Sequence, residues 1–233
     1  MKLLLKWLLG LFILAVVLVV VFFLSLDSIL RVVAEHNIRA QTGLNAEIGR
    51  FHVGLLDPVV EIDNLKLYNP KGFGGTPFMV IPEIHIEYDK PALRQGDIHI
   101  TLARFNLGEL DIVKNEKGET NLFSLGVALP SKAELQKNSG LGVAEFKKRT
   151  GLDFQGIDAL YVTVGTFKYI DLKNPKNNRE QEIAIDNQVF RNVKILADLT
   201  GLEVLVVLRS GDFFHITLGP KDQGWDGLKM LGF

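Results

Sequence analysis

The sequence predicts a mainly β protein of the α+β type: one N-terminal transmembrane helix, then an antiparallel sheet with a few short helices. Three observations predict it. Trp7 to Leu26 contains no charged residue. Beyond Gly43 the apolar pattern changes from helical spacing to alternation, the period of a half-buried strand. The alternating segments are separated by Asp-Pro, Asn-Pro-Lys-Gly and Asn-Glu-Lys-Gly clusters, the residues of tight turns.

Residues 1–26, which contain the uncharged run Trp7–Leu26, read as a signal anchor. At about 1.5 Å per residue, some 20 apolar residues cross a hydrocarbon core of roughly 30 Å. Lys2 and Lys6 precede the run, whereas Asp27, Arg31, Glu35 and Arg39 alternate in sign after it. That asymmetry places the N-terminus in the cytoplasm and the rest outside it. A cleaved signal peptide is the competing reading, but the run exceeds the usual ~7–15-residue apolar core and Phe23-Leu24-Ser25-Leu26 offers no small-x-small cleavage site. Residues 27–43 form a juxtamembrane helix with Ile29, Leu30, Val33 and Ala40 near one face, Asp27 or Ser28 as N-cap and Gly43 at the C′ position.

Residues 44–233 form the extracytoplasmic domain, long enough for a real core. Strands are expected at Asn45–Val53, Val59–Tyr68, Met79–Asp89, Asp97–Arg104 and Glu109–Lys114. Val60 and Ile62 share one parity and Leu65 and Leu67 the other, so a β-bulge at Asp63-Asn64 is needed to keep all four on one face. Ile84, Ile86, Ile98, Ile100 and Leu102 extend that face, and Glu61, Glu83, His85, Glu87, Asp97 and His99 are expected to face solvent. A helical insertion is expected at about 131–150, broken near Gly140. Strands return at Leu160–Tyr169, Gln181–Asp186 and Val189–Leu196, while Leu202–Leu208 fits strand or short helix.

Composition excludes several functions. A formal net charge of −1 leaves no electrostatic footprint for nucleic acid. Without cysteine there are no disulfides or thiolate metal sites. His36, His52, His85, His99 and His215 lack metal-ligand spacing, and His85 and His99 on neighbouring strands read as solvated side chains; no metal and no cofactor is expected. No Gly-x-Ser-x-Gly elbow is present, and Gly72-Phe73-Gly74-Gly75 lacks the Lys-Ser/Thr of a phosphate cradle, so a non-enzyme is expected. The remaining signal is the apolar face formed by Val60, Ile62, Leu65, Leu67, Ile84, Ile86, Ile98, Ile100 and Leu102. It is either filled by the rest of the chain or open as a trough able to hold acyl chains.

One resemblance bears on that choice. A single membrane helix is followed by Thr42-Gly43 and Ile48-Gly49, then by Pro58-Val59-Val60-Glu61-Ile62-Asp63-Asn64-Leu65-Lys66-Leu67-Tyr68-Asn69-Pro70-Lys71-Gly72-Phe73. Next come Ile81-Pro82-Glu83-Ile84-His85-Ile86-Glu87-Tyr88-Asp89, the Ala92–Gly96 turn and Asn115-Glu116-Lys117-Gly118-Glu119-Thr120-Asn121-Leu122. This order resembles the N-terminal part of AsmA-like proteins and covers about the first half of the chain. The resemblance implies a sheet curled into a gutter with an apolar inside, anchored in the inner membrane and exposed to the periplasm. It implies a part in lipid transfer or outer-membrane assembly, as in the related bridge-like lipid transfer proteins. The expected partners are the bilayer, phospholipid acyl chains, and an envelope protein or further copies of the chain, since 233 residues are too few to bridge two membranes alone. The other class of function is a membrane-anchored scaffold that recruits an envelope partner by strand addition at its sheet edge.

Overall fold

The computed structural model describes residues 27–40, 42–54, 57–121, 147–148, 150–194, 196–211 and 213. Residues 1–26 and nearly all of the expected helical insertion at 131–150 lie outside the described residues. The chain runs from helix α1 (27–40) to strands β1 (Asn45–Glu47), β2 (Arg50–Val53), β3 (Val59–Tyr68) and β4 (Pro77–Tyr88). A one-turn helix α2 (Lys90–Arg94) leads to β5 (Asp97–Lys114); then follow β6 (Asp153–Asp171), β7 (Arg179–Val193) and helix α3 (Thr200–Ser210). The Leu202–Leu208 run is therefore helical. Gly43 closes α1 at φ +72°, its N–H donating to the Arg39 carbonyl at 2.9 Å, the C′ geometry that favours glycine.

All seven strands form one open sheet in the order β1-β3-β4-β5-β6-β7, with β2 also on β3. The sheet is mixed, which corrects the purely antiparallel expectation. β5 and β6 pair in parallel from Asp97↔Asp153 to Lys114↔Asp171, because 38 residues rather than a hairpin separate them, so that β6 begins at the end where β5 began. Two further corrections concern continuity. Asp97–Arg104 and Glu109–Lys114 belong to one 18-residue strand, and β7 is likewise one strand, interrupted by register shifts. Conversely, Asn45–Val53 is broken at Ile48-Gly49, where the Gly49 N–H donates to the carbonyls of both Asp63 and Asn64.

That break marks one end of a slip line crossing four strands. Successive residues of the apolar face are three apart, not two, at Ile62/Leu65 in β3, Ile84/Ile81 in β4, Leu107/Leu110 in β5 and Val164/Phe167 in β6. The pairings Ile62↔Ile84↔Phe105↔Val162 on one side and Leu67↔Met79↔Leu110↔Phe167 on the other put these slips at the same level of the sheet. The bulge expected at Asp63-Asn64 is corrected: β3 and β4 keep one register from Val59↔Glu87 to Leu67↔Met79, so no residue is extra there and both strands change parity together, with Asn64 in the left-handed conformation, φ +53°, that Asn tolerates. A Cβ on Gly108 would lie 3.0 Å from the Pro82 ring, and one on Gly165 only 2.4 Å from the Gly108 carbonyl oxygen. Gly165→Ala is accordingly expected to cost about 2–3 kcal/mol in urea unfolding, as an overpacked contact between two backbones. Gly72→Ala, where an added Cβ meets nothing within 4 Å, is expected to change little.

The slip line makes the apolar side continuous. One cluster, Ile48, Leu65 and Ile81, lies under Ala34 and Ile38 of α1. A second, with Ile112, Val162, Val164, Phe167, Tyr169, Ile183 and Ile185, lies under Leu202, Leu205 and Val206 of α3, with Phe213. Phe105 and Leu107 touch both. The face of α1 used for this corrects the expected one: Ala34 and Ile38 point inward, whereas Ile29 and Val33 are exposed. Polar contacts set that rotation. The Asp27 carboxylate meets the His52 ring at 3.0 Å, and Glu35 accepts from the Ile48 N–H at 2.8 Å.

Candidate functional site

Between the two helix-covered regions runs a strip of half-buried side chains from β3, β4 and β5: Ile62, Leu67, Met79, Ile84, Phe105, Leu107 and Leu110. Adjacent strands are about 4.8 Å apart, so the strip is about 10 Å wide between its outer strands. Along β3, Ile62 to Leu67 spans about 17 Å, with Leu65 between them buried beneath α1. Half of a bilayer's ~30 Å core is about 15 Å, so the strip is about as long as one leaflet is deep.

Of the residues singled out in the sequence, Leu65 is buried beneath α1, and Ile62, Leu67 and Ile84 pack against its cluster. Val60 pairs with Ile86, and Ile86 with Ala103, extending the same face. Ile100 pairs with Tyr88, which continues the parity of Ile84 and Ile86, and Ile98 follows two residues away; both lie at the far end of the face. Leu102 falls elsewhere: an extra residue in β5 sets it opposite Glu87 of the polar face, and the buried Ala103 takes the place beside Ile86. Met79, Ile81, Phe105, Leu107 and Leu110 went unread because the three-residue spacing at the slip hides them from an alternation test. The signal was there in Pro82 and Gly108, residues that mark irregular strand geometry.

The opposite face carries charged ladders. His85 lies between Glu61 and Glu87, at 3.2 and 3.1 Å, and its side chain is only 14% exposed, so it is held in a network where solvent exposure was expected. Arg50 contacts Glu61 at 3.2 Å and Asp63 at 3.6 Å. His99 is not brought to His85: its ring sits 2.9 Å from Asp158 and 3.7 Å from Asp89, and the hydrogen bond to Asp158 holds its pKa above the ordinary value. Among the described residues no group of three His, Cys, Asp or Glu side chains is arranged to hold a metal ion.

Beyond the slip line the polar side closes over a second, smaller core. Val113, next to Ile112 in β5 and so on the other face, is fully buried, and Phe73 and Phe78 are buried. Asn121, with no exposed surface, fastens this end. Its Oδ1 accepts from the Val113 N–H at 3.0 Å, and its Nδ2 donates to Asn69 Oδ1 and to the Asp111 carbonyl, both at 2.8 Å. Asp111 is buried there with no hydrogen-bond partner for Oδ1 among the described residues. Burial and the neighbouring Glu109 push it up to about 7, against the pull of Lys168. Lys168 pairs with Glu109. An open cleft of about 440 Å³ adjoins this end, with Lys71, Lys117, Glu116 and Glu119 in its lining. Two lysines against two glutamates give it no preference for either charge.

Among the described residues no helix is long and apolar enough to cross a membrane. No protein-family model, curated protein or solved structure matches this chain.

Proposed function

We propose that the chain is a non-enzymatic lipid-handling module of the cell envelope, held in the inner membrane by residues 1–26 with residues 44–233 in the periplasm. In this reading the open sheet is a shallow gutter of the AsmA-like kind, and its half-buried strip seats a phospholipid acyl chain during transfer or outer-membrane assembly. One observation carries it. Four strands slip parity at the same level, and the slip keeps Ile62, Ile84, Phe105 and Leu107 on the same face as Leu67, Met79 and Leu110. A core that only had to be filled needs no unbroken apolar path from one sheet end to the other; a long hydrocarbon chain does. The scaffold reading has less to work with, because both edges are blunted against strand addition. β1 and β2 are three and four residues long and broken at Gly49, and β7 is bulged near Ala184 and Asn187, at φ +51° and +46°.

The test is mass spectrometry of phospholipid retained by the full chain purified in mild detergent, compared with Ile84→Arg and Phe105→Arg. Leu208→Arg, on an exposed position of α3 outside the strip, serves as control. Lipid around the anchor is common to all four proteins, so the difference reports the strip. Wild type and Leu208→Arg are expected to retain severalfold more lipid than the two strip variants. Equal retention in all four contradicts the proposal.

A further inference from the structure

The two sides of α1 have different fates. Its inward side is tied to the sheet by Asp27 on His52, Arg31 on the Gly49 carbonyl and Glu35 on the Ile48 N–H, with Ala34 and Ile38 packed on the apolar face. Its outward side carries Ile29, Val32 and Val33, which are 50, 59 and 49% exposed. These three lie at i, i+3 and i+4, a single patch on the helix surface. The same side continues as His36, Asn37 and Arg39, all exposed. Apolar character is therefore confined to the first two turns.

Those turns lie directly after the uncharged Trp7–Leu26 run. At about 1.5 Å per residue, Ile29 to Val33 fall about 5–10 Å of helix beyond Leu26. The headgroup layer on each side of the hydrocarbon core is about 5–7 Å thick. The chain thus delivers three exposed aliphatic side chains to the depth at which amphipathic helices bury their apolar faces, and it turns polar where the headgroups end.

We propose that the outward face of the first two turns of α1 rests on the surface of the bilayer that holds the anchor, with Ile29, Val32 and Val33 entering the boundary between headgroups and acyl chains. This deepens the membrane-anchored reading above and rests on it. The inward side of α1 is fixed to β2 and to the Ile48, Leu65 and Ile81 cluster, so docking also orients the sheet. The β1–β3 margin of the apolar face is set nearest the membrane, and the strip beginning at Ile62 and Leu67 opens beside the lipid surface.

The absence of cysteine makes single nitroxide labels clean. The full chain is reconstituted into vesicles of phosphatidylethanolamine and phosphatidylglycerol with a label at Val17→Cys, Ile29→Cys, Val33→Cys, His36→Cys or Leu208→Cys. Accessibility to oxygen, which concentrates in lipid, is compared with accessibility to a water-soluble nickel complex. Val17 is expected deep in the bilayer and Leu208, 73% exposed on α3, fully in water. Ile29 and Val33 are expected to show a severalfold higher oxygen-to-nickel ratio than Leu208, with His36 between. If Val17 is in lipid but Val33 is as open to nickel as Leu208, the docking is refuted while the anchor stands. If Val33 is shielded from both reagents, protein covers the patch and the docking is again refuted. If Val17 itself is in water, the anchor reading falls and takes this inference with it.

Discussion

Asn121→Ala is expected to lower stability by about 3–5 kcal/mol, the largest single-residue effect in the domain. The side chain has no exposed surface and makes three hydrogen bonds, to the Val113 N–H, the Asp111 carbonyl and Asn69 Oδ1. Truncation leaves buried partners unsatisfied at about 1–3 kcal/mol each, not fully additive. It also releases the Asn69 turn from β5, so the loss should appear as a lower urea midpoint together with earlier hydrogen exchange around Phe73 and Val113. Asn121→Asp is expected to be as damaging, since it keeps the acceptor for Val113 but turns a donor toward two oxygens into a third oxygen. A wild-type midpoint for either variant would show that Asn121 does not hold this end together.

Asp111 produces the second large effect, in pH dependence. An unfolded-state aspartate titrates near 3.9, whereas burial and Glu109 raise the folded-state value to about 7. Between these values the folded protein holds a proton that the unfolded chain has lost. Stability from this group is therefore complete below pH 4, falls as pH rises, and is fully lost above about 7. The loss is on the order of 2–4 kcal/mol. Asp111→Asn removes the charge while keeping the shape, so urea stability of the variant is expected to be flatter from pH 4 to 7 and to exceed wild type at pH 8. A variant that is less stable than wild type at pH 8 would mean that the ionised carboxylate is well accommodated, contrary to its burial beside Glu109.

How much of this was legible in the sequence varies by element. The β-rich class followed from alternation and from turn chemistry at Asp57-Pro58, Asn69-Pro70 and Gly118. The parity change at Asp63-Asn64 followed from Ile62 and Leu65, because β3 has clean apolar positions on both sides of it, but the bulge inferred from it did not, since β4 changes parity in the same register. The same slip in β5 was misread as a gap between two strands, since Gly108 between Leu107 and Leu110 looks like a turn when its partners are unknown. Only pairing with β4 and β6 makes it a continuous strand. The parallel register of β5 and β6 had no local signal at all, because it depends on where a long connection returns. Leu102 was placed on the wrong face for a related reason: one extra residue in β5 near Thr101 reverses the alternation that Ile98 and Ile100 establish. His85 was read as solvated because every second residue near it is charged. Cross-strand pairing made those charges its partners. In α1, apolar spacing alone favoured the face with Ile29 and Val33, and the Asp27 and Glu35 contacts turned the other face inward.

The central claim is that an acyl chain lies along the strip between the two helices. Phospholipid with a photoactivatable diazirine in its acyl tail, incorporated into membranes containing the full chain, tests it most directly, with crosslinked peptides mapped by mass spectrometry. Adducts are expected on Met79, Ile84, Phe105 and Leu107, and their loss in Phe105→Arg is expected to leave adducts on residues 1–26 unchanged. Adducts confined to residues 1–26, with none on β4 or β5, would contradict the account.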